Sequence, residues 1–138
     1  MISIQRKLEL FLVTKLTAAV SGHSFYPFHG GTAFANMTEI EPPFSVVAVV
    51  DAEKTMQQEG TWLCTGTLQI LAHAAETNSQ AHAALSGQIY GALDEIAAEI
   101  QDAGFSFHGL DITGMSSSTD SESACYADII KFVAGVGG

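Results

Sequence analysis

FSVVAVVDAEKTMQQEGTWLCTGTLQILAH, residues 44–73, decides the fold. Residues 44–50 are apolar but for Ser45, a near-continuous run as in a strand covered on both faces. Residues 51–60 are polar and link two strands at a tip. Residues 61–73 then alternate. Trp62, Cys64, Leu68, Ile70 and Ala72 fall on one side, and Thr61, Thr65, Thr67, Gln69 and His73 on the other. Period two with one apolar face predicts a long, half-buried strand.

Working toward the N-terminus, residues 21–43 form a long connection with Gly22, Pro27, Gly30, Gly31, Pro42 and Pro43, which limit regular structure. It also holds Phe25, Tyr26, Phe28, Phe34 and Met37, too many large apolar groups for a freely solvated loop. The expectation is packing on this domain or on a neighbouring subunit. Residues 3–20 repeat Ile4, Leu8, Phe11, Leu12, Leu16 and Ala19 at helical spacing, with Gly22 as the stop.

Toward the C-terminus, His82, Leu85, Ile89, Leu93, Ile96 and Ile100 predict a helix over about 78–101. Asp94, Glu95, Glu99 and Asp102 make an acidic patch near its end, where the helix dipole disfavours anions. The patch is a solvated face, a lumen wall or a site for a basic partner. Residues 105–113 read as a short strand, 114–123 (GMSSSTDSES) as a flexible turn and 124–136 as a final strand. The predicted architecture is α+β: one domain over 1–138, a four-stranded, mainly antiparallel sheet against two helices, and a long loop after the first helix. The second sheet face is then too apolar to stay wet, so oligomerisation or the long loop covers it.

Charged residues are only 14% of the chain, against about 25% in ordinary globular domains. A surface so poor in charge points to coverage by a partner. With 15 acidic residues against 5 basic ones, the chain carries −10 and opposes nucleic-acid phosphates and anionic membranes. A channel wall of that sign lets a polyanion slide past. No stretch reaches the roughly 18 apolar residues of a membrane span, and no signal-peptide pattern is expected. Cys64 and Cys125 define no disulfide framework.

The stretch HSFYPFHGGT, 23–32, has the composition of a small active site. His23 and His29 lack the convergent partners of a zinc site. Gly30-Gly31-Thr32 lacks the lysine and the glycine spacing of a phosphate loop. Cys64 sits on an apolar strand face, where a thiol is inert. Glu39 and Glu41 are a carboxylate pair without a cleft signal. His82 lies on an apolar stripe and reads as a core or interface histidine. The residues therefore predict no enzyme, no cofactor and no metal. A small hydrolase using Cys64 or the His23/His29 loop is the minor alternative.

The layout resembles the tail-terminator and tail-completion proteins of long-tailed bacteriophages. The likeness rests on LELFLVTKLTAAV, the Tyr26-Pro27 loop, the Pro42-Pro43-Phe44 strand entry, TGTLQILAHA, AHAALSGQIYGALDEI and a last strand after a Ser/Gly turn. It implies a single tail-terminator-like domain forming a homo-oligomeric ring, a hexamer, on the end of the tail tube. Such a ring ends tube polymerisation, offers a surface to the head-completion or connector protein, and lets DNA pass without specific binding. It places the protein in the virion at the tail–neck junction, assembled in the host cytoplasm, with no membrane. The family pattern implies subunit or tube contacts at Tyr26, Pro27, Phe28 and Phe34 and at the 51–60 tip with Lys54 and Gln57. Arg6 and Lys7, with Lys15 and Lys131, are scarce enough to meet a neighbour's acidic patch, while Asp94, Glu95, Glu99 and Asp102 are lumen candidates. Many relatives carry a basic residue before the Tyr-Pro pair, where this chain has Ser24-Phe25. Alternatives are another neck or sheath-end adaptor, or a non-viral protein-binding module.

Overall fold

A computed structural model of the chain describes residues 4–28, 44–54, 61–73, 79–97, 106–120 and 125–137. The elements are α1 (Ile4–Ala19), β1 (Ser24–Pro27), β2 (Phe44–Lys54), β3 (Thr61–His73), α2 (Ser79–Ala97), β4 (Ser106–Asp120) and β5 (Cys125–Gly137). The strands form one sheet in the order β1-β2-β3-β5-β4. β1 runs parallel to β2, and every other neighbouring pair is antiparallel.

Both helices cover one face of this sheet. α1 lies over β1 and β2, and α2 over β4 and β5. Leu8, Leu12 and Leu16 of α1 and Ile89, Leu93 and Ile96 of α2 join one core with Val47, Val49, Cys64, Leu68, Ile70, Ile130 and Phe132. The register explains the sheet's share of that core. Val47 pairs with Leu68, and Leu68 with Ile130, so one row of side chains crosses three strands toward the helices. Gly66 is required in the adjacent row, where it stands between Val49 and Phe132. A Cβ there would lie 2.5 Å from the Phe132 ring and 2.7 Å from the Ala48 carbonyl oxygen. α1 ends as its sequence predicts: Val20 N–H donates to Leu16 C=O at 2.9 Å, and Gly22 takes a left-handed φ of 81°.

The α+β class and both helices agree with the sequence reading, and two details differ. The sheet has five strands rather than four. The additional strand, SFYP at 24–27, lies inside the stretch read as a loop. Four residues ending in proline carry too little periodicity to be recognised, and β2 supplies the pairing that makes them a strand. Residues 114–120, part of the stretch 114–123 read as a turn, belong to β4, which is 15 residues long. Serine is a poor strand former by itself, and β5 overrides that preference by pairing with β4 as far as Asp120. The helix predicted to residue 101 is described only to Ala97, so Ile100 lies outside the described residues. No described helix is long and apolar enough to cross a membrane.

Candidate functional site

The histidine stretch that resembled an active site is divided by the fold. His23 is buried beside the core, its Nε2 2.7 Å from Ser45 Oγ and its ring edge-on to Phe25 at 4.9 Å. Burial lowers its pKa, so the neutral ring is favoured there. His29, Glu39 and Glu41 lie outside the described residues. Cys64 is fully buried, and burial, with help from Asp51, pushes its thiol up to about 11. That burial agrees with the core position expected from its strand face.

A second polar cluster joins α2 to β5. Ser86 Oγ donates to Asp128 Oδ2 at 2.5 Å, and His82 Nε2 stands 3.3 Å from the same oxygen. All three side chains are buried. The His82 ring stacks on Tyr126, and among the described residues neither ring nitrogen has a partner in good hydrogen-bond geometry. Burial alone raises the Asp128 pKa, but hydrogen bonds from Ser86 and Ser117 and the nearby His82 outweigh it and hold the carboxyl below its ordinary range. Ser, His and Asp meet here in the wrong order for a nucleophile. The carboxylate sits between the other two, whereas a catalytic relay places the imidazole between hydroxyl and carboxylate. Among the described residues no group of three or more His, Cys, Asp or Glu is placed to hold a metal ion. The serine and aspartate of this cluster had no sequence signal, because they lie 42 residues apart and meet only through packing.

A third polar contact fixes the edge of the sheet. Glu9 is wholly buried, and its Oε2 accepts the Val49 N–H at 2.8 Å. One helical turn earlier, Gln5 Nε2 donates to the Val49 C=O at 3.0 Å. The pair does for Val49 what a neighbouring strand would do, at the point where β1 has ended. Immediately beyond it, β2 bulges between Val49 and Asp51.

The sheet face away from the helices is the broadest candidate for contact. Phe44 and Val46 are buried on it, with Tyr26, Phe28 and Leu71 packed around them. Tyr26 meets Phe44 edge-on at 6.0 Å, and Phe28 N–H donates to Val47 C=O at 3.0 Å. Farther along, Val50 and Leu63 are 58% and 46% exposed, large values for apolar side chains. An open groove of about 320 Å³ lies beside Leu63, Gly109, Asp111, Val133 and Gly135.

The predicted contact residues thus separate. Tyr26, Pro27 and Phe28 come together at the end of β1, half-buried. Lys54 is exposed at the end of β2, with its ammonium 5.4 Å from the Trp62 ring centroid. Arg6 and Lys7 are half-buried on the first turn of α1, and Asp94 and Glu95 are exposed on α2. Phe34, Gln57, Glu99 and Asp102 lie outside the described residues.

No family model matches this chain, and no curated protein matches it. Among solved structures, it is similar to a chain of the virion of the native gene transfer agent (GTA) particle. The TM-score is 0.59, with 16% identity, 97% of this chain covered and 92% of that one. At that identity the likeness is one of fold, and it extends over nearly the whole of both chains.

Proposed function

We propose that this chain is a structural virion protein that forms a ring, a hexamer, on the end of a phage-type tail tube. In this reading it ends tube growth, presents a surface to the head-completion or connector protein, and leaves a channel for DNA. It sits at the tail–neck junction and performs no chemistry. The observation that carries the reading is the end-to-end fold likeness to a chain of a virion particle. The half-buried Tyr26 and Phe28 beside Phe44 support it, because aromatic groups on a charge-poor surface suit protein contact. The net charge of −10 supports a channel that does not retain DNA.

The test is to mix the purified protein with purified tail tubes and image them by electron microscopy. The reading expects a ring at one end of each tube and no further elongation. Loss of the gene then gives tails of uncontrolled length. Binding to head connectors without binding to tubes would make the chain another neck adaptor. Binding to neither would leave a non-viral binding module and defeat the reading.

A further inference from the structure

We infer that the outer edge of β4 is a strand-accepting surface, and that its occupant is the same edge of a second copy of this chain. The sheet ends at β4, which is paired on one side only, with β5. Among the described residues no backbone hydrogen bond reaches the other side of this 15-residue strand. Natural sheet edges are guarded by charged side chains, proline, bulges, shortness or a covering segment. β4 has no Lys, Arg or Pro. Two bulges, at Phe107/Gly109 and Ile112/Gly114, interrupt its first half. From Gly114 to Asp120 the register is regular, and the side chains of Met115 to Ser118 are exposed.

The opposite edge of the sheet is closed. β1 is four residues long and ends in Pro27, which has no N–H to offer. Past β1, Gln5 and Glu9 occupy the backbone of Val49. The rest of β2 exposes Asp51, Glu53 and Lys54, charges that discourage an added strand. Among the described residues, the stretch of sheet edge without charge, proline or bulge that a sister copy can offer is therefore the distal half of β4, from Gly114 to Thr119.

Charge selects how two such edges meet. Two chains of −10 each repel, so they can pair closely only where both are neutral. Gly114-Met115-Ser116-Ser117-Ser118 is such a stretch. An antiparallel pairing about a two-fold axis near Ser116 sets small, uncharged side chains opposite one another and continues the sheet across both copies. A two-fold contact does not close a ring, so this surface is separate from the tube-capping reading and stands without it.

Sedimentation equilibrium between about 10 µM and about 1 mM, a range that spans weak pairing, tests the idea. The wild-type chain is expected to dimerise reversibly. Ser116→Lys, at an exposed site, is expected to keep the circular dichroism spectrum and weaken dimerisation at least about tenfold, because it sets like charges opposite each other. Ser116→Cys is expected to form a disulfide-linked dimer under mild oxidation, well beyond the level given by the wild-type cysteines or by Val50→Cys. A wild-type monomer throughout, an unchanged dissociation constant for Ser116→Lys, or equal cross-linking at residues 50 and 116 would each overturn the inference.

Discussion

Glu9 shows how much a single buried residue can decide. Its carboxylate is removed from water and receives the Val49 N–H, so truncation leaves a buried donor without a partner. Glu9→Ala is expected to lower unfolding free energy by about 1–3 kcal/mol, read from urea denaturation, with Glu9→Gln milder because it keeps an acceptor oxygen. Asp128 adds a pH dependence. Its folded pKa lies below the ordinary value of 3.8, so its stabilising contribution is present above that value and is lost as pH falls through the folded one. Thermal melts of Asp128→Asn are expected to be less stable than wild type at neutral pH and to lose less stability on going from about pH 5 to about pH 2. Cys64, with its thiol pushed up to about 11, is expected to resist a thiol reagent at pH 8 until denaturant is added.

At the scale of elements, the tight approach of β2, β3 and β5 at Gly66 limits what the sheet tolerates. Gly66→Ala is expected to destabilise by about 1–3 kcal/mol by overpacking Phe132, visible as a lower midpoint of thermal unfolding. The long elements were legible because their own periodicity reports burial. Trp62, Cys64, Leu68 and Ile70 alternate on β3, and Leu8, Leu12 and Leu16 lie on one stripe of α1. β1 and the distal half of β4 were not legible. SFYP is too short to show a period and ends in proline, MSSSTD is rich in serine, and each is a strand because a neighbour already in the sheet offers hydrogen bonds in register.

At the scale of the whole molecule, the helices cover one sheet face and leave the other with its own aromatic cluster. If that cluster meets the tail tube, Tyr26→Ser is expected to reduce co-sedimentation with tubes at least about tenfold, because an interfacial aromatic carries more binding energy than its neighbours. Asp94→Ala, on the helical layer, serves as the control for a variant far from that cluster. The contact residues were only partly legible. Tyr26 and Phe28 stood out as aromatics in a loop, but nothing in their spacing showed that they would gather around Phe44 and Val46.

The order of apolar and polar residues determined by itself the two helices, the antiparallel pair at the centre of the sheet, the buried cysteine and the acidic, charge-poor character of the chain. These are local properties, since period and composition act within one segment. Tertiary structure alone decided the fifth strand, the place of β4 at the end of the sheet, the Gln5–Glu9 clamp and the His82–Ser86–Asp128 cluster. Each of these depends on groups far apart along the chain, and no single segment carries the pairing or the burial that creates them.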